Sequence, residues 1–466
     1  TCVSVGTRAY SIDNPKQRNP FFHLFYTFLT INRKPLLNPT LPTSYPQSYA
    51  HLFLFHITSQ VTRPGSLTIY FFCYTHNLYI YERNITMSSQ LSRRLFIQQA
   101  AALLSAGSSS SLLADTPHTS KSSVGVVLDQ LFFKHDRIDH PENAKRLVAI
   151  DNALTEHNLW SQLTPVKGRF ALNEELLWAH TQGYIDEIKL LSDDEPGFYN
   201  EYQQDTYVNE HTFNAAKMAA GSNINLNLAV YDRQVDTGFA LLRPPGHHAL
   251  ENKAMGFCIF NSDVIAARAL QRERGVKKVA IIDFDVHHGN GTQDLTANDP
   301  SIMAISIHQH PYWPLTGGLE FTGHDDAKGT IVNCPFNTGA GDKTYLDVYD
   351  EVIHPKLQAF EPQQIIVFAG YDAHWQDPLA RHKVTVKGFN QLVEKCVNSA
   401  KELCGGRISF SLGGGYNLNP LAESVVGTFH TLLDNPEKEH DSIGADPEPE
   451  VDYSEQIAKI KKHHLG

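Results

Sequence analysis

The sequence predicts an α/β fold: a single three-layer domain with a mainly parallel sheet flanked by helices. Three observations predict it. Short, continuously apolar runs such as Val279-Ala-Ile-Ile282 read as strands buried on both faces, as parallel strands are. Helical patterns alternate with these runs. Four of the runs end in polar or glycine-rich segments, and open α/β sheets bind ligands at that C-terminal edge.

In chain order, the first 86 residues stand apart. They are rich in Phe, Tyr, Asn and Thr, and no methionine precedes Met87. They show no helical period and read as translated upstream sequence or a disordered extension. The apolar stretch 21–31 is too short to span a membrane. The segment 87–114 holds Ser92-Arg-Arg-Leu-Phe-Ile97, then a weakly apolar alanine-rich core and a serine run. It resembles a twin-arginine signal, an address read by a receptor. That predicts an exported, periplasmic protein. A flexible basic N-terminus on a cytoplasmic protein is the other reading.

The main domain is expected over 115–436. Val124-Gly-Val-Val-Leu128 reads as its first strand. The pattern 141–154 is helical, with Pro141 near the start, where a missing N–H is harmless. A long helix over 209–228 carries the small residues Ala215, Ala216, Ala219, Ala220 and Gly221. Ser262 and Asp263 open a helix over 262–274 in a cap pattern. A strand follows at 301–308. Helices over 345–360 and 386–403 flank the strand beginning at Ile365. The stretch 437–453 is acidic and contains proline, so it reads as loose. The basic stretch 457–464 reads as a solvated end of a charged tail, 437–466. No internal repeat is visible.

The net charge is −11, yet residues 1–86 hold seven Lys and Arg against two acids. The main domain is therefore strongly acidic. It should repel nucleic-acid phosphates and attract cationic substrates. Cys258, Cys334, Cys396 and Cys404 lack the close paired spacing of a zinc-thiolate site or a disulfide framework. Cys396 and Cys404 could pair in an oxidising compartment. No membrane span and no oligomeric state are read from the chain.

The chemistry concentrates after Val279-Ala-Ile-Ile282, in Asp283-Phe-Asp-Val-His-His-Gly-Asn-Gly291. Residues two apart in a strand share a face, so Asp285 and His287 can converge on one ion, with Asp283 behind them. Carboxylate and imidazole suit zinc or another divalent transition metal. A capped strand end with solvated polar groups is the plainer reading. Leu241-Leu-Arg-Pro-Pro-Gly-His-His248 ends a second run with paired histidines. A third, from Ile365, ends in Asp372, and a fourth, from Ile408, ends in Gly413-Gly-Gly-Tyr416.

These segments, with Gly256-Phe-Cys-Ile-Phe-Asn261 and His140-Pro-Glu-Asn-Ala-Lys-Arg146, resemble the zinc-dependent histone deacetylases and acetylpolyamine amidohydrolases. The resemblance spans roughly 124 to 430 and is greatest to class II and bacterial members. It implies the arginase/deacetylase-like fold and hydrolysis of the amide of N-acetyl-lysine, in a peptide, or of an acetylated small amine. Acetylpolyamine hydrolysis and non-catalytic acyl-lysine binding on the same fold are the alternatives.

The resemblance implies Asp285, His287 and Asp372 as ligands of Zn2+ or Fe2+. His248 would be the base toward the attacking water, and His247 its electrostatic or acid partner. Asp283 matches the partner of His247. Asn290 matches the partner of His248, where many class I members carry Asp. Tyr416 would donate to the oxyanion. Phe257 and Trp313 would grip the acyl-lysine stem, Gly256 would leave room for it, and Asp205 would hold substrate amides at the rim. Leu379 stands where polyamine-preferring relatives can carry an acid, which favours acyl-lysine. A structural K+ would lie near Asp283, Asp285, His287, Ser306 and Ile307.

Overall fold

The computed structural model describes residues 123–194, 196–199 and 205–466, and the backbone of five N-terminal strands. The chain divides into two units, Thr1–His118 and Thr119–Gly466. In the first, Val3–Arg8, Phe25–Ile31, Leu54–Arg63, Ser66–Thr75 and Asn77–Thr86 pair in that order as an antiparallel sheet. Sequence reading set this stretch aside, and five strands run through it. The twin-arginine segment 87–114 lies outside the described residues.

The second unit is built on eight strands: β1 (Val124–Val127), β2 (Leu163–Pro165), β3 (Thr237–Ala240), β4 (Val279–Asp283), β5 (Ile302–Gln309), β6 (Ile331–Phe336), β7 (Gln364–Ala369) and β8 (Ile408–Leu412). Their order is β6-β5-β4-β7-β8-β3-β1-β2, and each neighbouring pair is parallel. The alternation of side chains explains the continuous apolar runs. Val279 and Ile281 of β4 pack with Ala220 and Ile265 from helices Thr212–Tyr231 and Ser262–Arg274. Ala280 and Ile282 face the other core, with Phe389 and Val425 from Val386–Cys404 and Leu418–Leu432. Both faces are covered, so every β4 residue must be apolar until the strand ends at Asp283.

Local chemistry sets the helix limits. Asn261, one residue ahead of the expected cap, accepts the Val264 N–H and starts Ser262–Arg274. Gly275, at φ 68°, ends it in the left-handed conformation glycine tolerates best. The helix expected from residue 141 begins at Lys145, because His140 Nδ1 accepts the Glu142 N–H and holds the preceding turn. The helix expected over 345–360 is interrupted. Asp342–Val348 and His354–Phe360 are joined by a π turn, Tyr349–Ile353, just ahead of Pro355. Proline supplies no N–H to the ladder there.

The C-terminal stretch corrects the expectation of a loose, solvated tail. Ser454–Leu465 is a helix whose Ile457 and Ile460 enter the main core. Its Gln456 and His464 side chains donate to the Pro335 and Asn333 carbonyls of edge strand β6. Alternate carbonyls of an unpaired strand edge need partners, and this helix supplies them. Ahead of it, Asp441 accepts the Lys387 N–H, the Gly444 carbonyl accepts Trp375 Nε1–H, and Glu450 accepts the Gly341 and Lys343 N–H groups.

Candidate active site

The sheet order makes β4 and β7 neighbours, which brings two distant sequence segments to one edge. Asp283 pairs in register with Phe368 of β7 and Ser306 of β5. The chain past β4 carries Asp285 and His287, and the chain past β7 carries Asp372. Their ligand atoms all lie within 4.8 Å of one another, and all three residues are buried. His287 Nδ1 is 3.2 Å from Asp285 Oδ1 and 3.0 Å from Asp372 Oδ2. Two carboxylates and one imidazole, shielded from water, form a donor set that calls for a divalent cation.

Backbone donors orient these groups. Val286 N–H donates to Asp372 Oδ1, His287 N–H to Asp285 Oδ1, and Gly414 N–H to Asp285 Oδ2. A Cβ on Gly370 would lie 2.1 Å from Asp285 Oδ2, and one on Gly414 2.2 Å from Asp372 Oδ2. Glycine at both positions is what lets the loops close on the carboxylates.

The histidine pair sits beside this cluster as expected. His247 Nδ1 is 2.8 Å from Asp283 Oδ2, and His248 Nδ1 is 2.7 Å from Asn290 Oδ1. These bonds leave each Nε2 for chemistry. The environments separate the two rings. Burial disfavours charge on His247, but Asp283 and Asp285 outweigh it and raise its pKa. Burial, then the charges of His247 and His287, hold His248 well below the usual histidine range. A neutral imidazole next to a chargeable one is an arrangement that can pair a base with an electrostatic partner.

Tyr416 closes the other side. Burial, then the Asp372 charge, push its hydroxyl well above the usual tyrosine value, so it stays protonated and can donate. Its ring meets Phe257 edge-on at 5.6 Å. Trp313 stands over His248 at 4.7 Å, and a Cβ on Gly256 would lie 2.4 Å from its ring. Phe257 thus packs on Tyr416, and Trp313 on His248. Phe257 holds a left-handed φ of 67°, and its N–H donates to Thr206 Oγ1. The Asp205 carboxylate reaches towards Gly256 N at 3.5 Å and accepts the Thr206 hydroxyl. Leu379 is half-buried, and its carbonyl accepts the Tyr312 hydroxyl.

The expected potassium residues divide. Asp283 and Ser306 line one small cavity with His288, Gly289, Thr292 and Asn333. Asp285, His287 and Ile307 are not in its lining, and the Ile307 side chain belongs to the core. The cysteines also depart from one expectation. Cys396 and Cys404 are unpaired, as are Cys258 and Cys334. Burial pushes the Cys258 thiol far up, which leaves it unreactive.

Sequence reasoning missed a buried ion network behind the site. Arg243 and Arg146 both bond Glu142, and all three are fully buried. Arg146 also donates to the Gly413 and Gly415 carbonyls, so it fixes the glycine turn ahead of Tyr416. The signal was present: Glu142 and Arg146 stand four apart, one helical turn, inside a motif already singled out.

A fully parallel sheet with helices on both faces and an Asp, His, Asp cluster beside paired histidines defines an arginase/deacetylase-like hydrolase. The histone deacetylase domain family matches residues 140–432. Among relatives, "Histone deacetylase 14, chloroplastic" of Arabidopsis thaliana is 39% identical over 342 residues, covering 70% of this chain and 80% of the relative. A "Probable deacetylase" of Archaeoglobus fulgidus is 34% identical, covering 63% of this chain and 81% of that protein. The solved "HDA15 HD domain" superposes with a TM-score of 0.66 at 33% identity, covering 74% of this chain and 94% of that one. The chain belongs to the histone deacetylase family, and its function is that of a deacetylase-like hydrolase.

Proposed function

We propose that this enzyme is a zinc-dependent deacetylase acting on N-acetyl-lysine or a closely related acyl-lysine. The observation that carries the reading is the convergence of Asp285, His287 and Asp372 within 4.8 Å, beside two histidines in distinct environments. Asp285, His287 and Asp372 would hold a divalent cation there, which would polarise the amide carbonyl and lower the pKa of water; a donor set of two carboxylates and one imidazole suits Zn2+, and Fe2+ is the second choice.

The chain's own groups supply the rest. His248, neutral and fixed through Asn290, takes the proton of the attacking water at Nε2. His247, whose pKa is raised by the Asp283 and Asp285 carboxylates against the effect of burial, serves as the electrostatic partner toward the negative charge that develops. Tyr416 donates a hydrogen bond from its hydroxyl to the carbonyl oxygen as it becomes an oxyanion. The proton on His248 then passes to the leaving amine. Phe257 and Trp313 flank the entry and suit an aliphatic stem, and Asp205 beside Gly256 suits substrate amides. Leu379 offers no charge to a polyamine, which favours acyl-lysine. Asp283 and Ser306, which line one small cavity, would supply oxygens to a second, monovalent cation such as K+. Residues 87–114 are assigned as a twin-arginine export signal on their motif alone.

The test is to assay purified protein against acetyl-lysine peptides and acetylated polyamines, with metal analysis of the same preparation. Turnover of the peptides with one divalent ion per chain supports the reading. Preference for the polyamines shifts the substrate, and activity without any divalent ion removes the reading.

A further inference from the structure

Tyr416 follows three glycines, so its own backbone does little to fix where the phenol stands. Gly415 has φ 120°, a conformation open to glycine. Outside groups must hold this turn. Arg146 holds the carbonyls of Gly413 and Gly415, and Asp285 holds the Gly414 N–H. That leaves the Tyr416 N–H, and it donates to Asp377 Oδ2 at 2.7 Å.

Asp377 lies in the loop after β7, five residues beyond Asp372, and is only 7% exposed. Its carboxylate accepts backbone N–H groups from two segments. Oδ2 takes Tyr416 and, at 3.3 Å, Asn417, while Oδ1 takes Leu379 at 2.9 Å. Asn417 returns the tie by donating its side-chain amide to the Gln376 carbonyl. The Leu379 carbonyl is itself held by the Tyr312 hydroxyl at 2.7 Å. One carboxylate therefore joins the rim residue Leu379 to the backbone that carries the Tyr416 phenol.

We propose that Asp377 is a positioning residue for deacetylation: it fixes Tyr416 as oxyanion donor and registers it against the Leu379 wall. The proposal rests on the reading of Tyr416 as that donor. A carboxylate accepts from two segments at once through its two oxygens. An amide in its place offers one acceptor and sets an NH2 against the other N–H group. The Tyr416 turn then loosens, although the metal cluster is untouched.

A double-mutant cycle tests this, using the metal-loaded enzyme, an acetyl-lysine peptide, and the variants Asp377→Asn, Tyr416→Phe and both together. Asp377→Asn alone should lower kcat about tenfold with KM within about twofold, the size of one lost hydrogen bond to a charged group. In the Tyr416→Phe background it should change kcat by less than about twofold, because residues acting as a unit are not additive. Metal content and thermal unfolding are measured on each variant. If Asp377→Asn does not accumulate folded, Asp377→Glu, which keeps the charge and displaces the carboxylate by one methylene, should give the same pattern. Equal losses in both backgrounds, or wild-type kcat in the single variant, overturn the proposal. Wild-type kcat in Tyr416→Phe alone instead removes the oxyanion reading, a distinguishable result.

Discussion

The roles of individual side chains here follow from what they touch. Asp285 and Asp372 are buried carboxylates less than 5 Å apart, an arrangement that is costly unless a cation compensates it. Asp372→Ala should therefore remove the bound divalent ion and nearly all turnover, because two remaining ligands hold a metal poorly. Metal analysis beside an activity assay checks it, and full activity in metal-stripped wild-type protein would contradict it. Tyr416→Phe should lower kcat about a hundredfold or more with little change in KM, since one oxyanion donor is worth about 2.7–4 kcal/mol. A variant with wild-type kcat would show that the ring merely packs. Strand alternation pointed to Asp285, and the family resemblance pointed to Asp372 and Tyr416. Both histidine partners, Asp283 and Asn290, were named by the family resemblance, and the structure places each against its ring. Glu142, Arg146, Arg243 and Asp377 were less visible. Apart from the Glu142–Arg146 spacing, their ties run to segments more than 35 residues away: Arg146 to the Gly415 carbonyl, Arg243 to the Glu142 carboxylate and Asp377 to the Tyr416 N–H, and sequence patterns carry no trace of these.

At the level of elements, strands and helices were readable where one physical rule dominated. The helix Ser262–Arg274 was expected with these bounds from its cap pattern, and the structure adds a terminal glycine that agrees. Where two rules competed, reading failed. Periodicity continued through Pro355, but the missing donor forced a π turn. The C-terminal helix was missed because its charged residues outnumber the two that matter, Ile457 and Ile460, at 2% and 0% exposure. Ile460→Ala should cost about 2–5 kcal/mol, as truncation of a buried aliphatic side chain does. Thermal unfolding should show a Tm several degrees lower with the kcat of the folded fraction retained. An unchanged Tm would mean the helix is dispensable.

Over the whole molecule, buried neutral histidines set a pH limit. His180 accepts the Asn261 N–H at Nε2 and donates from Nδ1 to the Leu250 carbonyl, and burial lowers its pKa to about 4. Burial likewise lowers His135 to about 3. The unfolded chain takes up these protons near the ordinary histidine pKa, and the folded chain does not. Stability is thus fully present above about pH 6.5 and falls as pH drops towards 4, by up to about 1.4 kcal/mol per pH unit for each such group. Chemical unfolding at pH 7, 6 and 5 measures it; a flat profile would count against it. The targeting reading belongs at this scale as well. Replacing Arg93 and Arg94 by lysine keeps charge but removes the guanidinium pair, and should leave active enzyme in the cytoplasm of a host with a twin-arginine pathway. Fractionation checks it, and wild-type protein from Met87 that stays uncleaved in the cytoplasm would end the export account.

The sequence by itself determined the α/β class, the strands at the heart of the sheet, and the polar strand-end segments on which the family resemblance names the metal, histidine and tyrosine residues. These depend on local patterns: apolar runs, strand alternation, and polar groups at strand ends. The tertiary structure alone decided the strand order that brings Asp372 beside Asp285, the arginine and aspartate ties on the glycine turn, and the clasp of the C-terminal helix on strand β6. Each of these is a pairing across long stretches of chain, which local patterns cannot specify.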